Sequence, residues 1–244
     1  MIADILTVAR KELLEIVAMS GGGRRGWLGQ VFFLAVFGIF LPIQSGRAWV
    51  ESPLLLVSWG WLPFLLAVQV VADSFAGERE RHTLETLLAS RLPDRAILFG
   101  KLAAILGYAC GATWLALAAG ILTVNIVAGG GGFLFYPLPT FAGILAFSVL
   151  GSGLAASAGV LVSLRAATAR QAAQTMSLVL ILLFSPVFIF GFMPTEVQAQ
   201  VFGWLLHTDF STVALVAMGV LLVLDSVFSL IALARFQRAR LILD

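Results

Sequence analysis

Few side chains in this 244-residue chain can do chemistry, and most of them crowd into the segment from Asp73 to Lys101. The other candidates stand alone. Asp225 is an acid inside an apolar run, Ser152 sits between Gly151 and Gly153, and Cys110 is the single cysteine. A hydrolytic serine needs a base within hydrogen-bond reach. The two histidines, His82 and His207, both lie outside the apolar runs, so serine hydrolysis within a membrane is excluded. Cys110 has no partner for an intrachain disulfide. A phosphate loop G-x-x-x-x-G-K-[ST] is missing, because Gly21–Gly26 supplies glycines and arginines without the Lys-Ser/Thr pair. No metal-ligand set is read either. The expectation is a chain that is not an enzyme and carries no cofactor of its own.

The elements that hold these residues are set by lipid. Sixty per cent of the residues are hydrophobic and 11% charged, against about 25% charged in a soluble domain. Six runs approach the roughly 20 apolar residues that a helix needs to cross a hydrocarbon core. They cover 27–44, 54–72, 97–127, 140–164, 172–193 and 211–234. Within lipid every backbone amide must be paired inside its own segment. These runs are apolar all round rather than alternating, so helices are expected and a barrel is not.

Charge then gives the orientation. Arg10, Lys11, Arg24, Arg25, Arg79, Arg81, Arg91, Arg95, Lys101, Arg165, Arg170, Arg235, Arg238 and Arg240 fall on one side of a six-span arrangement, leaving Arg47 on the other. Positive charge resists translocation, which predicts both termini in the cytoplasm. The basic residues form no groove interleaved with aromatics, which excludes nucleic acid as a partner. The expected fold is one all-α transmembrane domain over residues 1–244, in a plasma or bacterial inner membrane.

Three pieces lie outside the spans. Residues 1–19 show a helical period, with Ile2, Ile5, Leu6, Ala9, Leu13, Ile16 and Val17 near one face. This predicts a helix along the membrane surface, ended by Gly21, Gly22 and Gly23. Residues 194–206 read as a short amphipathic helix on the outer side, with Thr195 and Gln198 at capping-box spacing. Gly129–Pro139 reads as a flexible connector.

The cytoplasmic segment 73–95 carries the strongest signal. Leu84, Leu87 and Leu88 follow helical spacing among Glu78, Arg79, Glu80, Arg81 and Glu85, and Asp94 is placed to cap the next helix. A solvated loop would account for the charges but leave the leucines unexplained. A helix that docks on a protein or on the membrane accounts for both.

This stretch resembles the type-2 ABC transporter permease family, whose signature reads F-A-x-E-x-E-x-G-T-L-E-x-L-L-x-S-P-x-S-R-x-x-I-x-x-G-K. Phe75, Ala76, Glu78, Glu80, Thr83, Leu84, Glu85, Leu87, Leu88, Ser90, Arg95, Ile97, Gly100 and Lys101 match it in order. His82 stands where the family has Gly, Arg91 where it has Pro, and Asp94 where it has Ser. The motif covers about 30 residues; the surface helix, six spans, inside termini and small outer loops extend the likeness. The resemblance implies an exporter permease working by alternating access. It also implies a coupling helix between spans two and three, seated on a separate ATPase through Glu78, Arg79, Glu80, Arg81, His82, Thr83, Leu84 and Glu85. Arg10 and Lys11 on the surface helix would give a second ATPase contact. The partners it implies are two ATPase subunits carrying ATP and magnesium, a second permease chain, identical or not, and membrane lipid.

Asp225 is the remaining candidate, for the substrate pathway. It lies ten residues before Arg235, about 15 Å deep at 1.5 Å per residue, where a charge costs on the order of 2.5–3.5 kcal/mol. It is therefore read as a neutral, hydrogen-bonded acid or as a group facing a wet pathway. A stripe of small residues, Gly151, Ala155 and Gly159, is read as close helix packing. The rival functions are a secondary transporter, which would need more midplane polar residues and broken helices, and a non-transporting membrane assembly subunit.

Overall fold

The computed structural model describes residues 1–21, 24–52, 61–83, 91–130, 132–207 and 210–236, with the side chains of 19–21, 24–27, 183–184, 186–188, 202, 204–207 and 210–211 not described. The described residues are almost all helical and there is no strand among them, so the barrel alternative falls away. Ten helices are used below: α1 (Ile2–Gly21), α2 (Arg24–Ala35), α3 (Leu41–Ser45), α4 (Ala48–Glu51), α5 (Leu62–Glu80), α6 (Asp94–Ala128), α7 (Leu138–Arg165), α8 (Ala169–Gly191), α9 (Thr195–His207) and α10 (Phe210–Arg235).

Four stretches are long and apolar enough to cross a membrane among the described residues: Leu28–Ser45, Asp94–Ala128, Leu138–Arg165 and Thr212–Arg235. This marks a helical membrane protein. Part of the expected second span, residues 54–60, lies outside the described residues, as do the coupling residues Leu84, Glu85, Leu87 and Leu88 and the elbow glycines Gly22 and Gly23.

Helices α5, α6 and α7 form the centre. Helix α1 lies against α6, α10 lies against α7, and α8 covers α5 and α7. The core between them includes Val71 and Phe75 of α5, Ile97 and Ile105 of α6, and Ala155 and Val160 of α7. Lipid tails are as apolar as these side chains, so close van der Waals contact rather than the hydrophobic effect holds such helices together. The small residues of α7 permit that closeness. A methyl on Gly159 would overlap Val71, whereas one on Gly151 would meet nothing within 4 Å. Gly159 is therefore the contact position of the expected stripe, and Gly151 is not.

Between α2 and α3 the helix of the first span widens into a π-turn at Val36–Phe40. Such a turn frees a carbonyl from the helical ladder. Thr123 of α6 donates its hydroxyl to Gly38 O at 2.7 Å and to Ala119 O at 2.9 Å.

The opposite end of the bundle is tied by polar groups. Arg47 Nε donates to Ala128 O at 3.4 Å, at the last residue of α6. Asn125 Nδ2 donates to Leu134 O, and Leu134 N–H donates back to Asn125 Oδ1 at 2.7 Å. Tyr136 is buried beside Trp49 and Val50, and desolvation pushes its hydroxyl up to about 12. The connector expected to be flexible is thus pinned over residues 134–136.

Two capping expectations are corrected. Gln198 does not reach back to Thr195; its Nε2 donates to Phe190 O, Gly191 O and Met193 O, closing the end of α8. A related cap forms at the start of α8 instead, where Thr168 Oγ1 accepts from Gln171 N–H and Gln171 Oε1 accepts from the N–H of Ala167, one residue before the N-cap. Asp94 is the first residue of α6 rather than its cap, with Pro93 preceding it, so its carboxylate sits where the helix dipole favours an anion.

Candidate functional site

The charged residues converge at the end of the bundle where α1, α5 and α6 meet. Lys101 of α6 is fully buried, and its ammonium is shared by three acceptors. These are Glu12 Oε2 of α1 at 3.0 Å, Glu78 Oε1 of α5 at 2.9 Å, and Ser74 O at 2.9 Å. Its Nζ also lies 5.3 Å from the centre of the Phe75 ring. A buried lysine needs such compensation, since desolvation of an unpaired ammonium costs several kcal/mol on the order of. Gly100 next to it lets α1 approach: a methyl there would lie 2.6 Å from Val8.

Glu78 is 6% exposed, and its Oε2 has no hydrogen-bond partner among the described residues. Burial raises its carboxyl above the ordinary range, and the pull of Lys101 only partly offsets this. Lys11 pairs with Glu12 at 3.3 Å and Glu15 at 3.1 Å. Burial lowers its ammonium, but these two carboxylates outweigh that and leave it raised. Arg81 makes a two-point contact with Asp73, at 3.2 and 3.1 Å, and that contact raises the guanidinium further.

The next residues tie α5 to its other neighbours. Arg79 donates to Ala166 O and Leu164 O, both at 2.9 Å, closing the end of α7. Glu80 Oε2 accepts from Ala169 N–H at 3.2 Å, at the first residue of α8. Ser163 of α7 accepts from Ala76 N–H at 2.9 Å and donates to Ala72 O at 3.1 Å. Helix α5 then ends in a tight turn. His82 takes φ 57°, the left-handed region that glycine enters at least cost. His82 and Thr83 are both exposed, and Thr83 N–H donates to Glu78 O.

The eight residues read as one docking surface thus separate. Glu78 is buried against Lys101, while only two positions away Glu80 is exposed. Arg79, Glu80, Arg81 and Thr83 are engaged within the chain, and His82 is exposed. Leu84 and Glu85 lie outside the described residues. On α1, Arg10 is exposed and Lys11 is held by its two glutamates. The residues that sequence reasoning missed are Glu12, which gave no signal beyond its charge, and Lys101 as the centre of an ion network.

Asp225 belongs to a different place. It is half-buried on α10 and turned toward α7, where Ser157 Oγ donates to its Oδ1 at 3.1 Å. The missing side chain of Gly153 makes room, because a methyl there would lie 2.7 Å from Asp225 Oδ2. Ser152 Oγ donates to Ser148 O at 2.7 Å and lies 3.4 Å from Cys110 Sγ, an arrangement with no base. No group of three acids, histidines or cysteines among the described residues is placed to hold a metal.

The fold and the ion network define a class, a helical membrane protein with a charge-locked end. The chain matches no known family model, and it has no significant match among curated proteins.

Proposed function

We propose that this chain is the permease subunit of an ABC exporter, with six spans and both termini in the cytoplasm of a bacterial inner membrane. Two copies, or this chain and a second permease, work with two separate ATPases that carry ATP and magnesium. Closure of the ATPases moves the segment after Thr83, and the spans respond by alternating access.

The observation that carries this reading is the junction at the end of α5. Helix α5 ends in a turn whose His82 has φ 57°, a conformation suited to the glycine that the family has there. Immediately before that turn Glu78, Arg79 and Glu80 tie α5 to α6, α7 and α8. A push on the segment therefore reaches these helices through ion pairs and hydrogen bonds. The apolar spans and the separation of basic residues support the topology, and the lack of a phosphate loop supports a separate motor.

Purification in mild detergent is expected to recover a nucleotide-hydrolysing companion. Glu85→Lys should lower transport-coupled ATP turnover while leaving the permease folded. Glu80→Lys is the poorer test, because Glu80 also caps α8. Normal coupling in Glu85→Lys together with His82→Glu would refute the docking assignment.

A further inference from the structure

The apolar stretch Leu28–Ser45 is held unevenly along its length. From Gly38 onward it is fixed on α6. Gly38 is buried, and a methyl there would lie 2.8 Å from Ala119 Cβ. Gly120 makes room for Pro42 and Trp49, since a methyl on it would lie 3.3 Å from Pro42 Cγ and 2.5 Å from Trp49 Nε1. Trp49 and Val50 are buried among Leu117, Ile121 and Val124 of α6, and Arg47 reaches Ala128 O. The first half has no such hold. None of the side chains from Leu28 to Ala35 is buried, and Phe32 is 70% exposed.

The break between the halves has a local cause. In an α-helix Gly38 O would accept from the N–H of residue 42, but that residue is proline and has none. Just before it the chain is wound as the π-turn, with Leu41 N–H donating to Val36 O five residues back. Helices bend sharply at prolines and at π-turns, where the ladder of hydrogen bonds is interrupted. Here both fall between Val36 and Pro42. The donor that serves Gly38 O comes from another helix, Thr123 Oγ1 at 2.7 Å. That hydroxyl has a second acceptor in Ala119 O of its own helix, at 2.9 Å, so the bond to Gly38 O can stretch without leaving the hydroxyl hydrogen unmet.

We propose that the π-turn at Val36–Phe40 is a pivot on which α2 swings toward and away from α6 while Leu41–Glu51 stays in place. Thr123 is the positioning residue that pins it. The device rests on no assignment of substrate or motor, and its test needs neither.

The test uses the full chain in lipid nanodiscs, with Cys110→Ser and pulsed electron resonance between spin labels on paired cysteines. Val149→Cys on α7 is the fixed reference. The partner positions are Leu28→Cys, Phe32→Cys and Ile43→Cys, all of them exposed in the parent chain. A swing has a lever arm. At 1.5 Å per residue Phe32 lies about 6 Å and Leu28 about 12 Å from Val36. With the label's own width read at Ile43 and subtracted, the spread of distances should be roughly twice as large at Leu28 as at Phe32. Thr123→Val removes the pin at nearly unchanged shape. The pivot point then drifts, so both α2 distributions should widen and their ratio should fall toward one. Thr123→Ser keeps the hydroxyl and should keep the parent ratio. If Thr123→Val does not fold, the parent distributions decide. Equal spreads at Leu28, Phe32 and Ile43, or the parent ratio retained in folded Thr123→Val, overturns the proposal.

Discussion

Replacing Lys101 by methionine tests the ion network at its centre. Methionine keeps the length and apolar stem of lysine, so packing against Phe75 survives while the charge is removed. The loss leaves Glu12 and Glu78 facing each other with side chains only 8% exposed. Removing one partner of a buried pair costs about 3–5 kcal/mol, because the remaining charge is uncompensated. Solvent screening gives little relief at this burial. For a chain of this size about 1 kcal/mol moves the midpoint by roughly 2–4 °C, so the expected drop is roughly 6–20 °C. The assay is tryptophan fluorescence in detergent during a fixed-rate thermal scan, since such unfolding is rate-dependent. The triple variant Glu12→Gln/Lys101→Met/Glu78→Gln removes both carboxylates that faced Lys101 and should recover most of the loss. A midpoint unchanged in Lys101→Met, or a triple variant no better than the single one, would refute the reasoning.

Two other outcomes follow from the same packing. Glu78 binds its proton more tightly in the folded chain than at its ordinary value of 4.5, so its contribution to stability is greatest below that pH. The contribution falls as pH rises toward the folded value and then levels off; Glu78→Gln should remove this part of the slope in midpoint-against-pH curves. Gly159→Ala should cost about 1–3 kcal/mol by overpacking against Val71, while Gly151→Ala should be neutral or stabilise by up to about 1 kcal/mol through helix propensity. Thermal midpoints of the two variants check the pair, and equal effects would show that the α5–α7 contact is not where Gly159 is.

Apolar runs are legible because lipid imposes its demand on each segment separately, and Leu28–Ser45, Asp94–Ala128, Leu138–Arg165 and Thr212–Arg235 were visible for that reason. The α1 face was harder. Its apolar period pointed to Ile2 and Leu6, which are exposed, whereas Val8 and Glu12 are buried. A period reports that a helix has two faces, but not which one meets protein and which one meets lipid. Glu78 and Glu80 illustrate the same limit in the candidate site. Both are acids in one motif, yet Glu78 answers Lys101 and Glu80 answers Ala169 N–H. The partners that separate them lie on α6 and at the start of α8, beyond any local spacing. The cap was misplaced for a related reason, since Thr168–Gln171 and Thr195–Gln198 carry the same spacing and only the neighbouring carbonyls at the end of α8 distinguish them.

The widened turn at Val36–Phe40 has a consequence for how the first hydrophobic stretch meets its surroundings. One surplus residue swings everything after it by about 100° relative to an unbroken α-helix, so Leu28 and Ile43 cannot be assigned to a common stripe by counting. Shortening this stretch by one residue would restore an ordinary winding and leave Thr123 without its second acceptor. The portion with Pro42 would then rotate away from α6. A single-residue deletion here thus acts as a twist rather than as a truncation.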